Sequence, residues 1–191
     1  MDNFIHFAGI SGSLRKDSFN THLLNNVQRL LPAGVLFDVL NIADIPLYNA
    51  DLDLPAATER PEVVQHFRDK IAKAKGLVIV SPEYNYSIPG GLKNAIDWAS
   101  RGEDSPLLHK PIAVMGATTG MWGTARMQLA FQPIYQYLNM QPVYKPEIYV
   151  AQAKDKFDEK GNLKDEKTKQ LIREKLEALK ELALRHDFLT V

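Results

Sequence analysis

The sequence predicts an α/β protein, a parallel sheet with helices packed on both faces, and three observations predict it. Short apolar runs alternate with helical patterns about five times along the 191 residues, and such alternation builds strand-helix-strand units. Residues 77–80 are apolar at every position, as strands covered on both faces are. No internal repeat, low-complexity tract or linker interrupts the pattern, so residues 1–191 read as one domain.

Taken in order, residues 4–10 read as the first strand and 11–17 as a loop of Gly, Ser and Arg. Phe19, Leu23, Leu24, Val27, Leu30 and Leu31 then recur at helical spacing. Ser18 is the N-cap candidate, and Pro32 with Gly34 ends the helix. Residues 35–40 form the second strand. Residues 41–60 carry Pro46, Pro55 and several Asp without a period, which in a compact domain marks a functional or interface segment. Pro61 suits the first turn of a helix built on Val63, Val64, Phe67, Ile71 and Ala74. After the third strand, 81–88 is a second polar loop, and Pro89 opens a helix carrying Leu92, Ala95, Ile96 and Ala99. Residues 112–117 read as the fourth strand and 118–120 as a third loop. A helix is expected from about 123 to 138, kinked or split by Pro133. The fifth strand is expected over 143–150, with Pro146 opposing it. Residues 154–169 read as a solvated charged stretch, and Leu171, Ile172, Leu176, Leu179 and Leu182 make a closing amphipathic helix.

Composition removes several function classes. Lys and Arg total 23 and Asp and Glu total 23, a balance that argues against nucleic acid or an anionic membrane as partner. The absence of Cys excludes disulfides, thiolate metal sites and a Cys nucleophile. His6, His22, His66, His109 and His186 show no metal-ligand spacing, so no metal is expected. Met1-Asp2-Asn3-Phe4 has neither a basic start nor a long apolar run, and the apolar runs fall far short of the ~20 residues that span a bilayer. The expectation is a cytoplasmic protein that acts on small molecules.

In doubly wound sheets ligands bind beyond the carboxyl ends of the strands, where the three polar loops fall. The first, Gly9-Ile10-Ser11-Gly12-Ser13-Leu14-Arg15-Lys16-Asp17-Ser18-Phe19-Asn20, combines hydroxyl and amide donors with the cationic fork of Arg15 and opens into a helix N-terminus. That is either an anion cradle or an ordinary Ser-rich turn with a cap. Gly12 is read as permitting a tight turn. The loop matches neither the GxxxxGK[ST] nor the GxGxxG spacing. The second, Ser81-Pro82-Glu83-Tyr84-Asn85-Tyr86, offers amides over 83–85 and two tyrosine faces, suited to a flat ring or to a plain surface turn. The third, Thr118-Thr119-Gly120, offers amides at the start of the next helix. Glu83 orients its own loop or pairs with Arg101, and Arg101 steers anionic substrates or sits in a surface ion pair.

These words together resemble the NADPH-dependent FMN reductase family, in the branch with chromate and quinone reductases. The resemblance extends to Ile45-Pro46-Leu47-Tyr48-Asn49, to Leu92-Lys93-Asn94-Ala95-Ile96-Asp97-Trp98-Ala99-Ser100-Arg101 and to Gly123-Thr124-Ala125-Arg126, and covers residues 5 to 181. It implies a flavodoxin-like three-layer sandwich with a five-stranded parallel sheet in the order 2-1-3-4-5. It implies non-covalent FMN and hydride supply from NADPH or NADH. By that resemblance Ser11, Ser13, Leu14, Arg15, Ser18 and Asn20 hold the FMN phosphate. Pro82, Glu83, Tyr84, Asn85 and Tyr86 border the isoalloxazine, and Thr118, Thr119 and Gly120 face its pyrimidine side. Arg101 is the candidate for the substrate. No side chain need act as acid or base, because the flavin carries the chemistry. Ping-pong transfer to a quinone, flavin, ferric complex or chromate is implied, as is a homodimer or homotetramer formed through residues 41–60 and 89–100. An unbroken helix around Pro133 is expected in relatives. A flavodoxin-type electron carrier and a phosphate-binding regulatory module are the competing readings.

Overall fold

A computed structural model describes residues 4–186. Its strands are β1 (Ile5–Ser11), β2 (Val35–Leu40), β3 (Gly76–Val80), β4 (Pro111–Ala117), β5 (Gln141–Pro142) and β6 (Tyr149–Val150). They pair in parallel in the order β2-β1-β3-β4-β5, and β6 also pairs with β4. The helices are α1 (Phe19–Arg29), α2 (Glu62–Lys73), α3 (Gly90–Ala99), α4 (Ala125–Ala130), α5 (Gln132–Tyr137), α6 (Ala153–Lys156) and α7 (Glu166–His186).

Successive side chains of a strand point to opposite faces, and this sorts the core into two layers. Ala8, Ile10, Leu77, Ile79, Ile112 and Val114 pack under α2, α3 and α5. Ile5, Phe7, Val78, Val80, Ala113 and Met115 pack under α1 and α7. The expected flavodoxin-like architecture is therefore present. Ser18 caps α1 as expected, its side chain accepting from the Asn20 amide. Pro61 and Pro89 stand at the N-caps of α2 and α3.

Two expectations change, and one about a helix break is met. Residues 143–150 do not form one strand: two short pieces lie along β4, at Gln141–Pro142 and Tyr149–Val150. Pro146 has no N–H to give a ladder, and the carbonyls of Val143 and Pro146 accept instead from the Lys175 ammonium on α7, at 2.7 and 3.0 Å. The helix over 123–138 is split into α4 and α5, as the sequence predicts. Pro133 sits in the first turn of α5, where its missing N–H leaves no bond unmade. The charged stretch 154–169 is not wholly solvated either. Phe157 and Leu163 are buried and bridge one another, and Asp165 accepts from the Thr168 amide at the start of α7.

Residues 41–60 hold one 3-10 turn, Ala50–Leu52, and are otherwise fixed by polar contacts. Asn94 and Trp98 both donate to the Pro46 carbonyl at 2.8 Å, and Asn94 accepts from the Tyr48 amide. Asp53 and Arg60 form a buried pair at 2.6 Å that continues to Asp104 and Arg68. Arg68 donates to the carbonyls of Trp98, Ala99 and Arg101, closing the C-terminus of α3. Among the described residues no helix is long and apolar enough to cross a membrane.

Two lysines do similar structural work. Lys110 donates to the carbonyls of Ile71 and Ala74 at the end of α2, as Lys175 does beside the broken strand. Burial draws the first down to about 8, with the charge of Lys75 adding to the effect. Burial draws the second down to about 8 as well, against the charge of Glu147. The unfolded chain, with lysines near the ordinary 10.5, binds more protons than the folded one above about pH 8, so stability rises with pH there. Urea unfolding at pH 8 and at about pH 9.5 should show a gain of up to about 1.4 kcal/mol per pH unit for each lysine. Lys110→Met combined with Lys175→Met should flatten that gain, and an unaltered slope in the double variant would reject this account.

Candidate functional site

The strands β1, β3 and β4 end together. Their register pairs Ser11 with Val80 and Val80 with Met115, so the loops that follow leave the sheet at one edge. Contacts then join the loops to each other. The Gly12 amide donates to the Val80 carbonyl at 2.9 Å and the Ser81 amide to the Met115 carbonyl at 3.0 Å. A β-carbon on Gly12 would collide with the Ser81 side chain and Leu92. Close approach, rather than a tight turn, is what requires glycine there.

In the first loop the Ser11 hydroxyl lies 2.9 Å from that of Thr21, and the amides of Ser13 and Arg15 donate to the hydroxyls of Ser11 and Ser13. Leu14 is exposed, and its amide has no partner among the described residues. Arg15 is exposed, and its guanidinium reaches the Asp17 carbonyl at 2.7 Å. The first turn of α1 contains no acidic residue, which leaves the positive end of the helix dipole uncompensated. Asn20 plays a different part from the one expected. Its carboxamide is committed to the Ala117 backbone, donating at 2.9 Å and accepting at 2.8 Å. It ties α1 to the end of β4 and leaves the anion-facing donors to its neighbours.

The second loop turns on Asn85 and Tyr86, both left-handed at φ 49° and 64°. Tyr84 and Ser87 exchange two backbone hydrogen bonds across them, at 3.1 and 2.9 Å. The Tyr84 amide is thereby used internally, contrary to the expectation that it faces a ligand. The amides of Glu83, Asn85 and Tyr86 have no partner among the described residues. Pro82 is half-buried, and Tyr84 and Tyr86 expose 50% and 69% of their surface, so two rings stand ready to cover an apolar face. Glu83 pairs with Arg126 and not with Arg101. Its carboxylate accepts from Arg126 Nε at 2.6 Å and from the amides of Arg126 and Met127 at 3.0 and 3.1 Å.

The third loop is longer than expected, because α4 begins only at Ala125, after Thr124 in a left-handed conformation. Thr118 donates its amide to Val150 and accepts at its carbonyl from Ala153. Its hydroxyl accepts from the Gly120 amide at 3.3 Å. Thr119 and Gly120 are exposed, and the Thr119 amide has no partner among the described residues. Trp122 is 68% exposed and so is not a core residue.

Arg101 does not join this edge. It follows the C-terminus of α3, whose ten residues carry the chain about 15 Å away from the second loop. Its guanidinium lies 5.0 Å over the Tyr48 ring and 4.0 Å from Asp97. The residues that sequence reasoning passed over are Arg126, Ser81 and Thr21. Arg126 stands inside a word already recognised, Gly123-Thr124-Ala125-Arg126, but its partner is 43 positions away. Among the described residues no three His, Asp or Glu gather as a metal site.

The edge thus has two chemistries. One end offers hydroxyls, a free amide, a guanidinium and an uncompensated helix terminus, which fit a phosphate. The other offers free amides between exposed aromatic faces, which fit the polar rim and flat face of a flavin. The donors present therefore suit a flavin mononucleotide at both ends.

Comparison with known proteins agrees. The profile of the NADPH-dependent FMN reductase family matches residues 5–155. An NAD(P)H-dependent FMN reductase of Pseudomonas aeruginosa is 42% identical over 179 residues, 94% of this chain and 95% of that protein. A quinone reductase of Escherichia coli is 40% identical over 159 residues, 83% and 84% of the two chains. The solved flavoenzyme NAD(P)H:(acceptor) oxidoreductase FerB from Paracoccus denitrificans superposes with a TM-score of 0.83 at 34% identity, covering 95% of this chain and 98% of its own. With its fold, its cofactor-suited edge and these relatives in agreement, the chain belongs to the NADPH-dependent FMN reductase family of oxidoreductases.

Proposed function

We propose that this oxidoreductase uses FMN to carry electrons from NADPH or NADH to a small acceptor: a quinone above all, or free flavin, a ferric complex or chromate. The observation that carries the reading is the joining of the phosphate-suited loop to the ring-suited loop through Gly12 and Ser81. The chemistry FMN supplies when bound is hydride uptake from the nicotinamide, followed in ping-pong order by reduction of the acceptor.

Ser11, Ser13, Leu14, Arg15 and Ser18 would hold the phosphate, with Asn20 bracing them. Pro82, Glu83, Tyr84, Asn85 and Tyr86 would border the ring through their amides and aromatic faces. Thr118, Thr119 and Gly120 would face the pyrimidine side, where the free Thr119 amide favours negative charge. No described side chain is needed to move a proton. Supply of reduced nicotinamide nucleotides suits a cytoplasmic place. Arg101, held over Tyr48 at the far end of α3, is not assigned to the substrate in this subunit.

The test is direct. The purified protein should take up FMN and oxidise NADPH or NADH with a quinone and no protein partner. An electron carrier would bind FMN but fail the assay, and a phosphate-binding module would retain nucleotide but no flavin. Arg15→Ala should weaken FMN binding about tenfold and leave riboflavin, which lacks the phosphate, unaffected. Equal losses for both ligands would remove Arg15 from the phosphate end.

We further propose that the protein works as a homodimer or homotetramer. Leu47, Met121, Trp122, Leu129 and Tyr137 each expose more than 60% of their surface, and exposed apolar groups in number mark association surfaces. Light scattering at micromolar concentration should give at least twice the monomer mass, and Leu47→Glu in the 41–60 segment should lower it. A monomer mass for the unaltered protein would overturn the assignment.

A further inference from the structure

Between the second loop and α4 stands Arg126, a residue to which the functional reading gives no part. Arg126 is fixed at its Nε by Glu83, at 2.6 Å, and its guanidinium carbon lies 3.8 Å over the Tyr86 ring and 5.6 Å from that of Trp122. Tyr86 is the second central residue of a two-residue turn closed by the Tyr84–Ser87 bonds, and both central residues are left-handed. Turns of this kind favour Asn followed by Gly. Asn85 meets the first preference, whereas a tyrosine with positive φ is disfavoured and persists where its surroundings hold it. The stacked guanidinium is that hold.

We propose that Arg126, set by Glu83, is a positioning residue for the flavin. It clamps the Tyr86 ring and so fixes the turn whose free amides at Glu83, Asn85 and Tyr86 would border the isoalloxazine. Glu83 reaches across to α4 and engages two backbone amides as well as the guanidinium. Glu83 therefore ties the second loop to the start of α4. Arg126 itself need not touch the cofactor. A lysine cannot replace it, because an ammonium has no planar fork to bond Glu83 sideways while lying flat on a ring.

This inference rests on the FMN reading, and the experiment separates the two. FMN is titrated into the apo-protein and its fluorescence followed, and the visible circular dichroism of the bound flavin is recorded at saturation. If the unaltered protein takes up no FMN, the functional reading falls and this inference with it. If it does, Arg126→Gln and Arg126→Lys should each weaken binding about tenfold, or about 1.4 kcal/mol, and alter the dichroism of the bound ring. Tyr86→Phe keeps a ring under the guanidinium and should retain more affinity than Tyr86→Gly. Tyr86→Gly relieves the positive φ, so it should fold at least as well yet lose affinity as Arg126→Gln does. Combined with Arg126→Gln it should cost no more than either change alone, since both remove one contact. Additive losses, full recovery by lysine, or unchanged affinity and dichroism in Arg126→Gln would overturn the proposal. Should Arg126→Gln fail to fold, Tyr86→Gly decides alone: unchanged binding and dichroism reject the clamp.

Discussion

Gly12 lies so close to the Ser81 side chain and Leu92 that a β-carbon has no room, and the functional edge depends on that contact. Because its amide also bonds the Val80 carbonyl, the loop after β1 is pressed against the end of β3 rather than arching over it. An anion seated by the first loop and a ring seated by the second are thereby held at one fixed separation. Parallel pairing makes this possible, since it places the carboxyl ends of β1, β3 and β4 side by side. An alanine at Gly12 would push the two loops apart, and the two half-sites would no longer belong to one ligand.

Around that contact, buried polar groups hold what apolar periodicity does not. Asn20 satisfies both backbone groups of Ala117, which ties the third loop to α1. Residues 41–60 have no hydrophobic repeat to fold them, yet Asp53, Arg60, Asp104 and Arg68 form a connected set that pins them to α3. Burial disfavours ionisation of Asp104, but the Arg60 hydrogen bond and the Arg68 charge hold its carboxyl below the usual range. A buried charge that lost its partners here would be costly, so the segment is confined to one arrangement.

The fold was legible where burial alone decides it. Apolar runs named β1 to β4, and the 3.6-residue spacing named α1, α2, α3 and α7, because each presents a full face to one of two core layers. The fifth strand was misread because its break is settled by Lys175, a residue far along the chain whose ammonium takes up two carbonyls. The site was legible as three loops of donors, since Gly, Ser, Asn and Tyr types carry their chemistry with them. What each donor does was not. Whether the Tyr84 amide, the Asn20 carboxamide or the Glu83 carboxylate is free depends on partners at Ser87, Ala117 and Arg126, and pairings over such separations leave no trace in local spacing.

The carboxylate inventory of the edge bears on its electrostatics. Across the three loops the sequence holds two acidic side chains, Asp17 and Glu83. Both oxygens of Glu83 are engaged, one by a guanidinium and the other by two amides at the start of α4, so its charge is compensated where it sits. Asp17 is exposed and follows Lys16 in the chain. What faces the edge is then a set of N–H groups, hydroxyls, Arg15 and a helix terminus with no acid in its first turn. Fixed dipoles of this kind favour negative charge without reorganising, both the permanent charge of a phosphate and the charge that arises on a ring when it accepts a hydride. A protein of zero net charge can therefore present a locally electropositive rim, built from placement and not from an excess of lysine and arginine.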